Sequence, residues 1–253
     1  MTIEVSLEEL VRAGAHFGHQ SRRWNPKIAP YIYSEKDGVH IFDLTKTKEK
    51  LEEALDFLQK AAKEGKSIIF VGTKKQARDK ILKTAQATNS FYVIERWLGG
   101  TITNFDQIKK STAKMAEMKA KKEKGEYRNF TKKERLLIDR EIERLERFFG
   151  GLANITKTPD ILVVVDVKQE RGAVKEARSA GIEIVGIVDS NSDPTDVDYP
   201  IPMNDDATKA VEYVLDLIEA AILNKKVEKR RVEKTGKKTK KVKKGKADKK
   251  EKN

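Results

Sequence analysis

Apolar positions along this chain alternate between two rhythms, one of period near 3.6 and one of short unbroken runs. Ser6 followed by Glu9 forms a capping box, and Leu7, Leu10 and Val11 supply the stripe of a first helix that fades between Gly14 and Gly18. Residues 20–38 carry Arg, Lys, Pro and aromatics without a clear period and read as an ordered loop. A strand is predicted over 39–44. A helix over 47–64 follows, with Leu51, Leu55, Leu58 and Ala62 on one face and Gly65 closing it. Residues 67–72 predict a buried strand, Thr73 caps a helix running to about Thr88, 91–94 form a third strand, and 96–104 form a loop.

The alternation then stops for a highly charged stretch, 105–149, with a break around Gly125 to Asn129. Two antiparallel helices in a protruding hairpin are expected there. Thr131 and Glu134 cap the second arm, and Leu136, Leu137, Ile142, Leu145, Phe148 and Phe149 give it a coiled-coil-like seam. Strand and helix resume with strands at 161–166, 183–189 and 199–201 and helices at about 170–180, closed by Gly181, and 205–224. Continuous Val/Ile runs mark strands covered on both faces, hence an α/β fold with a mostly parallel sheet. Three parts follow: an α/β domain formed by 1–104 and 150–224, the hairpin 105–149, and a Lys-rich tail, 225–253, whose composition predicts disorder.

Composition sharpens this picture. Among 253 residues, 37% are charged and 38% hydrophobic, the formal net charge is +13, and no apolar run approaches the ~18 residues of a membrane helix. The acidic opening, without an apolar segment after a basic one, does not read as a secretory signal. The absence of cysteine removes disulfides, thiolate metal sites and thiol nucleophiles, so the cytoplasm is the expected compartment. Residues 225–253 hold 16 Lys and Arg against 4 Asp and Glu, so the rest of the chain is nearly neutral overall. Within it, 12–36 and 109–147 are basic and 148–224 is acidic, which fits a polyanion partner on one side and a protein on another; solvated faces kept for solubility are the plainer alternative.

Residues 16–36 interleave Arg22, Arg23 and Lys27 with Trp24, Tyr31 and Tyr33, a combination that binds phosphates and stacks on bases. GTKKQAR at 72–78 places Lys74 and Lys75 where a buried strand meets a helix start, suited equally to a plain cap or a phosphate contact. It is not a Walker loop, and no dinucleotide fingerprint exists. Arg96 and Trp97 pair a cation with an aromatic beside two glycines, and Lys109, Lys110, Lys114, Arg128, Lys132 and Lys133 arm the hairpin. Asp166 and Asp189 end apolar strands and could serve a magnesium-dependent phosphohydrolase, but no nucleophile stands beside a base. His16 and His19, with Asp205 and Asp206, are candidates for one structural divalent ion; a buried, hydrogen-bonded histidine is the alternative.

Taken together, GAHFGHQSRRWNPK (14–27), FVGTKKQA (70–77), RWLGGTITN (96–104), FFGGL (148–152), GIVDSNSDP (186–194) and IPMNDDA (201–207) resemble the bacterial ribosomal protein S2 family, with Ser21 and Ser190 where that family often has threonine. The resemblance implies a flavodoxin-like three-layer α/β/α domain around a five-stranded sheet, with an inserted helical hairpin. It also implies a structural, non-enzymatic role between head and body of the small subunit, contact with its ribosomal RNA and neighbouring proteins, and help in recruiting the mRNA-binding ribosomal protein S1. The acidic stretch 148–224 is the expected surface for that recruitment. Neither a required cofactor, a membrane nor a homo-oligomer is expected, and the tail, outside the resemblance, should bind phosphate without sequence preference.

Overall fold

A computed structural model describes residues 4–224, so the expectation for the tail lies outside the described residues. Helix α1 (Leu7–Ala13) is capped by the Ser6 side chain, which accepts the Glu9 N–H, and ends at Gly14 with φ +81°. Strands β1 (Phe17–Gln20), β2 (Ile32–Lys36) and β3 (Val39–Phe42) form a small antiparallel sheet in the order β1-β3-β2. One expectation is corrected here: the segment read as an ordered loop contains β2, which pairs with the strand predicted over 39–44. The overlooked signal is Asp37-Gly38, both at positive φ (52° and 74°), the chemistry of a two-residue hairpin turn.

Next come α2 (Leu44–Lys63), capped by Asp43, then β4 (Ile68–Val71), α3 (Lys75–Thr88) and β5 (Phe91–Val93). Lys74, not Thr73, occupies the cap position of α3. Thr73 is engaged elsewhere, its N–H and hydroxyl donating to the buried Glu170 carboxylate at 2.9 and 2.6 Å. Helices α4 (Phe105–Glu123) and α5 (Lys132–Phe149) pack on each other, and α5 starts with the capping box read from Thr131 and Glu134. Their buried positions are few: Ile108, Thr112 and Met115 on α4, and Ile142 and Leu145 on α5. Ion pairs Lys114–Glu141 (3.4 Å), Lys119–Glu146 (2.6 Å) and Lys122–Asp139 (2.8 Å) link the arms. Leu136 and Leu137, expected in the seam, are instead half exposed.

The chain returns through β6 (Ile161–Val165), α6 (Arg171–Ser179), β7 (Glu183–Val188), β8 (Tyr199–Pro202) and α7 (Thr208–Ile222). All five main-sheet strands are parallel, in the order β5-β4-β6-β7-β8. That is the flavodoxin-like order, which reverses direction between β4 and β6. Alternate residues bury on opposite faces. Ile68, Phe70, Ile161 and Val163 join the apolar faces of α1, α2, α3 and α7, while Ile69, Val71, Leu162 and Val164 join Trp97, Ile102 and the inner face of α6. An open parallel sheet of this kind places its functional groups beyond the strands' carboxyl ends, at the reversal point.

Candidate nucleic-acid interface

Beyond those carboxyl ends stand Lys74 after β4, Asp166 after β6 and Asp189 after β7. Lys74 is largely buried, and its ammonium lies 2.5 Å from Asp205, 2.6 Å from Asp206 and 3.3 Å from Asp166. Desolvation works to discharge it, but the surrounding carboxylates prevail and hold its pKa above the usual lysine value. Burial, then the charges of Asp189 and Asp166, push the Asp205 carboxyl upward against the pull of Lys74. The crevice at the reversal point is thus filled by an internal ion cluster. Most of these charges partner one another, while Asp205 Oδ2 is buried without a hydrogen-bond partner.

His19 extends the cluster into the N-terminal segment. Its Nδ1 lies 3.0 Å from Asp189 and its Nε2 3.5 Å from Asp206. The hydrogen bond to Asp189 raises the imidazole pKa above 6.5, outweighing desolvation. Asp189, fully buried, also accepts from the Ser190 N–H (2.5 Å) and the Asp205 N–H (3.1 Å). The His19 N–H donates to Ser190 Oγ at 2.7 Å, and a Cβ on Gly18 would stand 2.9 Å from that same oxygen, so only glycine lets β1 lie this close. These bonds fix the start of the basic segment to the sheet.

The same geometry separates the candidate metal ligands. His16 does not join His19, Asp205 and Asp206; it lines a groove with Leu7, Val11, Tyr33 and Phe42 and rests obliquely on Phe17. Among the described residues, no group of three or more His, Asp or Glu is arranged to hold a metal ion. The Lys74 ammonium already pairs with both Asp205 and Asp206.

Outside this lock several of the candidate cations and aromatics face outward. Arg22 and Arg23 lie exposed in a 3-10 turn after β1, and Trp24 beside them is 38% exposed, with its inner face tilted over buried His40 at 4.8 Å. Tyr33 on β2 is 76% exposed. Lys27 is tied to Asp193 (2.7 Å) and to Thr195 Oγ1 (3.2 Å), while Lys75, Arg96, Lys109, Lys110, Arg128, Lys132 and Lys133 are exposed. Two predicted contacts are removed: Lys74 is consumed internally, and Trp97 is buried with its indole N–H donating to Glu176 at 3.1 Å. Lys114 shares its charge with Glu141.

The acidic stretch 148–224 is not an acidic face. Asp189 and Asp205 are buried, Asp166 and Asp206 hold Lys74, Asp193 holds Lys27, Asp196 holds Arg178, and Glu176 accepts five hydrogen bonds from 97–103. Sequence reasoning missed Glu176 because nothing local marks a carboxylate whose partners lie over seventy residues away.

The fold and site define a doubly wound domain whose crevice is occupied by its own charges and whose basic N-terminal segment and hairpin carry exposed cations. Comparison with known proteins agrees in class. The family described as Ribosomal protein S2 matches residues 10–225. Small ribosomal subunit protein uS2 of Amoebophilus asiaticus (strain 5a2) is 48% identical over 220 residues, covering 87% of this chain and 70% of that protein. The uS2 protein of Bacteroides thetaiotaomicron is 48% identical over 229 residues, covering 90% and 82% respectively. This chain belongs to the ribosomal protein S2 family, a family of small-subunit structural proteins and not of enzymes.

Proposed function

We propose that the chain binds small-subunit ribosomal RNA between head and body, working as a rigid clamp rather than a catalyst. The supporting observation is the segment 22–33, where Arg22, Arg23, Trp24 and Tyr33 stand outward on a loop pinned through His19 and Ser190 to the sheet. Pinning lowers the ordering cost of contact, the cations neutralise phosphates, and the aromatic faces accept stacked bases or riboses. The hairpin 105–149, an arm distinct from the α/β body, adds Lys109, Lys110, Lys114, Arg128, Lys132 and Lys133 as phosphate contacts. No cofactor is needed for this role, and the cytoplasm is its compartment.

Recruitment of ribosomal protein S1 is part of the same proposal and rests on the family resemblance. Because the acids of 148–224 are engaged internally, charge complementarity along that stretch is a weak basis for it. Hydroxyl-radical footprinting of reconstituted subunits tests the RNA contact: the full chain should protect discrete backbone positions, and R22Q/R23Q should lose some of them. A footprint identical with and without the protein contradicts the proposal. Subunits rebuilt without the chain should retain less S1; equal retention removes that part.

A further inference from the structure

The helix α6 has the sequence RGAVKEARS, with three cations against one acid, and lies in the most acidic part of the chain. Folding separates its charges by face. Glu170, just before it, is 3% exposed and turned inward to Thr73, and Glu176 is turned onto the 97–103 loop. Arg171, Lys175 and Arg178, spaced four and three apart, therefore share the outward face, and all three are exposed. With Val174, Ser179 and Asp196 they line a groove of about 370 Å³. Among the described residues, Arg178 is the one of the three with an acidic partner, Asp196 at 3.0 Å.

This face is continuous with the basic N-terminal segment. The turn Pro194–Asp196 is gripped from one side by Lys27, through Asp193 and Thr195 Oγ1, and from the other by Arg178, through Asp196 and the Thr195 carbonyl. At the other end of α6, a Cβ on Gly172 would lie 3.6 Å from Trp97, so the chain at Arg96 runs past the helix start. The cations thus form an arc from Arg22 and Arg23 through Lys27 and α6 to Arg96.

We infer that the outward face of α6, Arg171, Lys175 and Arg178, is a phosphate-binding surface that continues the RNA interface across the layer opposite α2, α3 and α7. This rests on the RNA-scaffold reading and adds a surface to it. An RNA backbone fits better than a protein here, because the groove offers one apolar side chain, Val174, among several polar and charged groups, and phosphate contacts carry most of the affinity in such interfaces.

The test is filter binding of the full chain to small-subunit ribosomal RNA over a salt titration. It compares wild type with R171Q/K175Q, which leaves the Arg178–Asp196 pair intact, and with K60Q/K83Q on the opposite layer. Thermal melts establish that each variant is folded. Each lost phosphate contact should reduce the slope of log K against log salt by about 0.7 to 0.9, so R171Q/K175Q should flatten it by about 1.5, while K60Q/K83Q leaves it unchanged. A slope for R171Q/K175Q equal to wild type, with wild type still binding steeply, overturns the α6 surface and leaves the broader reading standing. Equal flattening by both pairs also overturns it, since the effect would then be net charge alone. No salt-dependent binding by wild type removes both the α6 surface and the reading beneath it.

Discussion

Replacing Glu176 tests how one carboxylate organises a loop that its neighbours in sequence do not explain. Its Oε1 accepts from the Trp97 indole N–H (3.1 Å) and the Gly100 N–H (2.8 Å), and its Oε2 from the N–H groups of Ile102 (3.0 Å) and Thr103 (3.2 Å) and the Thr103 hydroxyl (3.1 Å). Trp97 and Ile102 are buried, so their donors cannot turn to water when the acceptor goes, whereas exposed Thr103 can. Each stranded buried donor costs about 1–3 kcal/mol, so Glu176→Ala should destabilise by about 3–5 kcal/mol. Glu176→Gln keeps the volume but turns an amide NH2 toward donors, for a loss of about 2–3 kcal/mol.

Urea unfolding measures the change, and the Trp97 indole N–H resonance reports whether the loop has moved. A pH signature accompanies it. Burial favours the neutral acid, but the hydrogen bonds from Gly100, Trp97, Ile102 and Thr103 prevail and hold the Glu176 pKa below 4.5. A lowered acid pKa stabilises the fold above the unfolded value, and this contribution disappears as pH falls through the folded one. Wild type should therefore lose more stability than Glu176→Gln between about pH 6 and 3. A Gln variant within about 0.5 kcal/mol of wild type, with an unmoved indole resonance, refutes the reasoning.

Other perturbations probe the lock and the close approaches. Lys74→Met leaves Asp205 and Asp166 without their cation and should cost about 3–5 kcal/mol at neutral pH by chemical denaturation, with partial recovery in acid; a loss below about 1 kcal/mol contradicts the cluster. His19, with its pKa raised above 6.5, stabilises the fold when protonated, so wild-type stability should fall as pH rises through the folded value while His19→Gln shows a flatter profile there; parallel pH curves would count against the Asp189 bond. Gly151→Ala places a Cβ 2.0 Å from the Tyr92 carbonyl oxygen, and a melt showing less than about 2 kcal/mol of destabilisation would mean the backbone yields freely.

The repeating architecture is legible because unbroken runs such as 161–165 and 68–71 bury alternate residues in two cores, and nothing but a covered parallel sheet accepts that pattern. The small antiparallel sheet was not, since β2 is mostly exposed and its four outward residues show no apolar alternation; only Asp37-Gly38 betrayed it. The clustering of Arg22, Arg23 and Trp24 was readable because the three are consecutive in sequence, and all three are exposed. Lys74 and Trp97 were misplaced because their fates depend on Asp205 and Glu176, far away in sequence. Net charge by segment failed for the same reason: it counts Asp189 and Arg171 alike, though one is buried and the other exposed.

The most direct test of the account is sedimentation of the tagged full chain and of its 1–224 truncation with small ribosomal subunits at moderate salt. Both should travel with the subunit, because the proposed contact surface lies within the described body. If only the full chain does, placement comes from the Lys-rich tail as a polyanion adhesive, and the clamp formed by the basic segment and the locked sheet end is contradicted.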